Sequence, residues 1–167
     1  MRRGYCYRTP LQGPTYGRKY LESLPRLSNL LLLDLQPYDE VPQVLASADV
    51  LLATLETTAS EFAVPSKVLS YLCAGRPLLL AAPPGNLAAS IVQKSGSGIV
   101  ANPDRSDEWI AAAKMLAINP DLRKALGSRA RQYAETNFPI SRVAASFEEV
   151  LLRTYTSEDP EASAICS

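Results

Sequence analysis

The sequence predicts an α/β fold: an open, mostly parallel sheet flanked by helices and followed by a helical segment. Short apolar runs at residues 29–34, 49–54, 77–82 and 98–101 alternate with segments whose apolar residues recur at helical spacing. Such alternation is the pattern of strands joined by crossover helices, which makes the strands parallel. After the last of these runs the periodicity is helical throughout. A chain of 167 residues holds one domain with a real core and is too short for two large ones.

The elements follow in order. Residues 1–22, MRRGYCYRTPLQGPTYGRKYLE, are rich in glycine, proline and tyrosine and show no clear strand, so 1–12 read as an irregular segment, with a short helix at 17–23. Residues 38–48 place Val41, Val44, Leu45 and Ala48 on one face and lead straight into the strand at 49–54. Residues 66–74 form a helix presenting Val68, Leu69, Leu72 and Cys73 inward; Gly75 supplies its left-handed stop and Pro77 prevents continuation. Asn86 reads as the N-cap of a helix to about Lys94. Then come helices at 104–118, capped by Ser106 or Asp107, at 120–136, opened by Asn119, and at 140–155. Residues 156–167 are polar and read as a loose tail.

Composition narrows the chemistry. Lys+Arg and Asp+Glu both number 17, so there is no electrostatic footprint for a nucleic-acid backbone or an anionic membrane, and an anionic ligand must be held locally. Cys6, Cys73 and Cys166 are odd in number and far apart, without the spacing of a zinc site or disulfide framework, which suits a reducing cytosol and implies no metal. Arg2 and Arg3 precede no apolar run, and no stretch approaches the roughly 20 apolar residues of a membrane span. The chain therefore reads as soluble and cytoplasmic. It contains no histidine, which removes the side chain most used for proton transfer near neutral pH.

In an open parallel sheet the ligand crevice lies beyond the carboxyl ends of the strands. The loops there are 35–38, 55–65 and 83–86. The longest delivers the chain into the helix that opens Pro65-Ser66-Lys67, where unpaired backbone N–H groups make a ready anion site. Pro65 costs little at that place. With Ser66 capping and Lys67 as a point charge, a phosphate-sized anion gains about 1 to 2 kcal/mol from the helix terminus. The same residues are also explained by a capped surface helix with a solvated lysine.

Three stretches together carry a family resemblance: DLQPYDEVPQVLASADVLLATLE, EFAVPSKVLSYLCAGRPLLLAAPPGNLAASIVQKSGSGIVANPDRSDEWIAAA and the helix ending RQYAETNF. In order and spacing they resemble the C-terminal domain of retaining GT-B glycosyltransferases of the family-four type, from about Gly13 to Tyr155. The similarity is strongest to the subgroup with a Pro-Ser-Lys helix opening, which assembles capsule, exopolysaccharide and cell-surface glycans.

The resemblance implies that residues 13–155 are a Rossmann-like half of a GT-B fold that binds a nucleoside-diphosphate sugar as donor substrate, with no further cofactor. A separate N-terminal half, as domain or subunit, binds the acceptor, and a partner of this kind implies a peripheral position at the inner membrane. By position, Gln36, Pro37 and Tyr38 approach the nucleobase and Ser70 the ribose. Ser60, Glu61, Phe62 and Ala63 lie by the sugar, Ser66 and Lys67 by the diphosphate, and Pro84, Gly85 and Asn86 at another sugar-side turn. Tyr38 is equally explained as a helix staple, Gly85 as a turn glycine, and Glu56 and Glu61 as solvated loop charges. The family's pair of glutamates falls at Phe62 and Ser70, neither acidic, and no catalytic residue is assigned.

The family's diphosphate-clamping Arg and Lys have no match ahead of Gly13-Pro14, where Arg8, Arg18 and Lys19 are stand-ins on paper only. Transfer needs both walls of the cleft, so this half is expected to bind without turning over. The other reading is a non-catalytic nucleotide-sugar-binding remnant. A GT-B-shaped epimerase is disfavoured, since it needs acid/base residues, often His. Because the acceptor half of the family receives the last helix, residues 140–155 are expected either to fold back loosely or to carry an exposed apolar strip including Val143, Phe147, Val150 and Leu151.

Overall fold

The computed structural model describes residues 4–6, 23, 25, 30–34 and 36–157, with backbone alone for 4–6, 30–32 and 154–157. The chain forms two compact units, Met1–Ala48 and Asp49–Ser167.

In the first unit, β1 (Gly4–Cys6) pairs in parallel with β2 (Leu30–Leu32), Tyr5 opposite Leu31. A strand thus stands inside the stretch 1–12 that reads as irregular in sequence. Three residues are too few to show a period, and only the pairing reveals them. The helix expected at 17–23 falls outside the described residues except at Ser23, as do Arg8, Gly13, Pro14, Arg18 and Lys19. A 3-10 helix (Tyr38–Glu40) leads into α1 (Val41–Ala46), which buries Leu45 and half-buries Val41 and Val44.

In the second unit, β3 (Leu51–Thr54), β4 (Leu78–Ala81) and β5 (Gly98–Ala101) form a parallel sheet in that order, with Leu52 opposite Leu79 and Leu79 opposite Ile99. The sheet has three strands where about four are expected in one series; β2 pairs with β1 in the first unit. β4 is central, and Leu78, Leu79 and Leu80 are all fully buried, as an apolar run with both faces covered requires. On one face Leu78 and Leu80 pack with Val68 and Leu72 of α2 (Ser66–Cys73), Ala88 and Val92 of α3 (Leu87–Ser95) and Ala130. On the other, Leu79 meets Ala112 and Leu116 of α4 (Ser106–Ile118) and Leu126 of α5 (Pro120–Asn137).

The helix ends show how the layers lock. Gly75, at φ 64°, lets the chain leave α2 in a left-handed turn. Arg131 of α5 donates to the Cys73 carbonyl at 2.8 Å, and Arg123 donates to the Leu116 and Ala117 carbonyls at 2.7 and 3.0 Å. Each guanidinium thereby satisfies carbonyls that a helix end leaves open. Within α2 only Val68 and Leu72 are buried, while Leu69 and Cys73 are exposed, so the inward stripe is narrower than the sequence periodicity indicates.

α4 begins after Arg105, not at a capping Ser106 or Asp107. The Asp107 carboxylate is taken by Arg105, whose Nε and Nη2 donate to it at 3.2 and 3.1 Å, and this bidentate pair holds the carboxyl below its ordinary range. Asn119 opens α5 as expected, its side chain accepting from the Leu122 N–H at 2.9 Å. The last helix, α6 (Ile140–Ser157), leaves Ile140, Phe147, Val150, Leu151 and Leu152 exposed and Val143 half-buried. It takes up the first two residues of the expected tail, and 158–167 lie outside the described residues.

Candidate functional site

Because β3, β4 and β5 run parallel, the loops that follow them open at one end of the sheet, and α2 and α3 both begin there. The start of α2 is uncapped. Pro65 is the cap residue, at φ −60° and ψ 129°, with no side-chain capping hydrogen bond. The Val68 N–H donates to the Pro65 carbonyl at 2.9 Å, but the Ser66 and Lys67 N–H groups have no acceptor among the described residues. Ser66 is therefore the first helical residue and not the cap expected of it, because proline already holds the cap position. Its side chain is exposed, that of Lys67 is half-buried, and neither has a partner among the described residues. One turn on, the Ser70 hydroxyl donates back to the Ser66 carbonyl at 3.4 Å.

The start of α3 is the reverse. Asn86 is fully buried. Its Oδ1 accepts from the Ala88 and Ala89 N–H groups at 2.9 and 3.4 Å, and its Nδ2 donates to the Ser60 and Ala63 carbonyls at 2.9 and 3.0 Å. The Leu87 N–H donates to the Glu61 carbonyl at 2.7 Å. Every polar atom of the Asn86 side chain is used, so it has nothing left for a sugar. Asn86, expected at a sugar-side turn, is a cap whose amide also grips the preceding loop. The N-cap role is legible in the sequence; the grip is not, since its acceptors are backbone carbonyls 23 and 26 residues earlier.

The 55–65 loop is tied a second time. The Thr57 hydroxyl donates to the Asp104 carboxylate at 2.9 Å, linking the loop after β3 to the loop after β5 across the end of the intervening β4. Within the loop, the Ala63 N–H donates to the Ser60 carbonyl at 3.0 Å and the Phe62 N–H to the Ser60 hydroxyl at 3.3 Å. Glu61 and Phe62 are exposed, Phe62 by 74%. Gly85 sits at φ 80° with open space where a Cβ would stand, so the turn itself requires the glycine.

In the second unit the structure bonds Asn86 to Ser60 and Ala63 and Leu87 to Glu61, with Phe62 between them, while Ser66, Lys67 and Ser70 stand on the first turns of α2 and Gly85 on the turn before Asn86. Gln36, Pro37 and Tyr38 belong to the first. There Gln36 donates to the Asp34 carbonyl at 3.1 Å, Pro37 opens the 3-10 helix, and Tyr38 is 93% exposed, which is not the packing of a helix staple.

A cavity of about 400 Å³ lies beside the start of α3, lined in part by Gly85, Asn86, Ser90, Gln93 and Asn102. Ser90, Gln93 and Asn102 carry no sequence signal, being ordinary polar residues of a helix and a turn. A larger cleft of about 750 Å³ opens at the opposite end of the strands, beside Asp49 and Pro77. Its Arg123 and Arg131 are already committed to the carbonyls of α4 and α2. Size alone therefore does not mark the site.

No family model matches the sequence, and no curated protein is similar to it. Among solved structures it is similar to the HepE protein of Anabaena in complex with UDP-glucose, with a TM-score of 0.66 and 18% identity over 83% of this chain and 36% of that one. It is also similar to sucrose-phosphate synthase from Thermosynechococcus elongatus, with a TM-score of 0.64 and 12% identity over 86% of this chain and 33% of that one. The fold, a parallel sheet flanked by helices with a C-terminal helix, matches that of these GT-B glycosyltransferase structures. At these identities the likeness is one of backbone architecture. The chain spans about a third of the length of each GT-B neighbour. Among the described residues no helix is long and apolar enough to cross a membrane.

Proposed function

We propose that this chain is the donor-binding part of a glycosyltransferase, holding a nucleoside-diphosphate sugar while a second, acceptor-binding part completes the cleft. The observation that carries the reading is the start of α2: two adjacent N–H groups without acceptors among the described residues, Ser66 exposed and Lys67 half-buried beside them, at the carboxyl end of a parallel sheet. The helix dipole and the amides attract the diphosphate, and Lys67 adds a charge. A GT-B neighbour that holds UDP-glucose supports a sugar nucleotide as the ligand class. Assembly of cell-surface polysaccharide or glycan is the process in which the Pro-Ser-Lys subgroup would place it.

The test is isothermal titration of the full chain with UDP and uridine. UDP is expected to bind well and uridine weakly. Lys67→Ala is expected to weaken UDP by about 1–3 kcal/mol, the range for a hydrogen bond to a charged group, and to leave uridine unchanged. Equal binding of UDP and uridine, or an inert Lys67→Ala, reduces α2 to a surface helix.

A second reading, a nucleotide-sugar-binding partner without chemistry of its own, is favoured by positions 62 and 70. Phe62 is exposed and Ser70 hydrogen-bonds within its own helix, where the resembling family has carboxylates. Sugar transfer on adding an acceptor domain separates the two readings.

A further inference from the structure

We infer that Asn86 is a positioning residue that pre-forms the sugar-facing wall of the donor crevice, an inference that rests on the donor-binding reading above. Capping α3 needs only an oxygen, which Ser, Asp and Asn supply about equally well. What Asn adds is an N–H₂ group, and both of its hydrogens go to the 60–63 loop, to the Ser60 and Ala63 carbonyls. An aspartate would set a carboxylate against those carbonyls, and a serine has one hydroxyl in place of the amide's separate acceptor and two donors. A fully buried amide is tolerated only when so satisfied.

The gripped loop puts little into the core in return. Ser60, Glu61 and Phe62 are exposed and Ala63 is half-buried. Three hydrogen bonds from the start of α3, two from Asn86 and one from the Leu87 N–H, hold a segment whose side chains face outward. The Ala63 carbonyl lies two residues before Pro65, so the same amide fixes how the chain enters α2 and hence where the Ser66 and Lys67 N–H groups stand relative to the loop. A wall held in this way does not have to be ordered when ligand binds, which lowers the cost of binding.

The experiment compares UDP-glucose with UDP on the full chain, in the unmodified protein and in Asn86→Asp and Asn86→Ser, with folding checked by circular dichroism. Both variants keep a capping oxygen and lose the two donors. The ratio of the UDP-glucose to the UDP dissociation constant is expected to rise about tenfold in the variants, with UDP alone held within about threefold. A merely structural Asn86 changes the folded fraction and weakens both probes by the same factor, leaving the ratio unchanged; that result overturns the inference. If Asn86→Asp does not fold, Asn86→Ser decides. An unmodified chain that binds UDP but not UDP-glucose also overturns the inference while the diphosphate site stands. One that binds neither overturns the donor-binding reading itself.

Discussion

Helices α2 and α3 begin at the same end of the same sheet and treat their first amides in opposite ways. At α3 the Leu87, Ala88 and Ala89 N–H groups are all taken by protein oxygens, and the capping side chain is fully buried. At α2 a proline stands at the cap, and the Ser66 and Lys67 N–H groups have no acceptor among the described residues. A helix start closed by its own chain is a joint. On the donor-binding reading, the one left open beside Lys67 is where the diphosphate binds. The contrast matters more than either end alone, since both helices belong to one core and share its packing.

The largest effect expected from this difference is on stability. Asn86→Ala removes the α3 cap and leaves the Ser60 and Ala63 carbonyls without their donor, at a cost of about 2–4 kcal/mol. Ser66→Ala should stay within about 0.5 kcal/mol. Urea unfolding of both variants checks the pair, and equal losses would erase the distinction. Ser66→Asp sharpens it. A carboxylate at the open N-terminus should stabilise the chain by about 0.3–1 kcal/mol while occupying the anion site, so that UDP binds about tenfold or more weakly. Thermal melts and titration on the same sample read the two opposite signs, and a destabilised Ser66→Asp would mean that the end is not open.

The smallest effect lies at α4, a third helix start. Its Asp107 carboxyl is held below the ordinary range by the hydrogen bond from Arg105. A folded value below the unfolded one contributes stability above the ordinary carboxyl range, and that contribution fades as pH falls below about 4. Asp107→Asn should therefore lower stability slightly at neutral pH, flatten the acid limb of the profile and leave the two proteins alike at low pH, where the unmodified carboxyl is protonated as well. Both partners are exposed, so salt should suppress the difference.

What the sequence discloses and what it hides divide along range. The apolar run of β4, the Gly75 stop, the Asn86 cap and the Asn119-Pro120 opening are local signals, each readable within a few residues, and each stands in the structure. The start of α4 is misread because Ser106 and Asp107 both fit a capping pattern, and only the geometry shows Asp107 turned to Arg105. The Pro-Ser-Lys opening is legible as a helix start, whereas the lack of acceptors for its amides is not. The grip of Asn86 on residues 60 and 63, and the Thr57–Asp104 bond across 47 residues, join side chains to partners that no periodicity connects. Of the site, then, the helix opening can be read in advance and its walls cannot.

The Thr57–Asp104 bond has a kinetic consequence. It closes a bridge of chain from β3 to β5 over the end of β4, and the Asn86 contacts fasten the remainder of that bridge. A segment fastened at both places does not act as a gate. Ligand should associate in a single phase whose rate rises linearly with concentration, without the plateau that a preceding loop-opening step imposes. Cutting the tie with Thr57→Val should accelerate dissociation more than association, so that the bridge sets how long a ligand stays and not how fast it arrives.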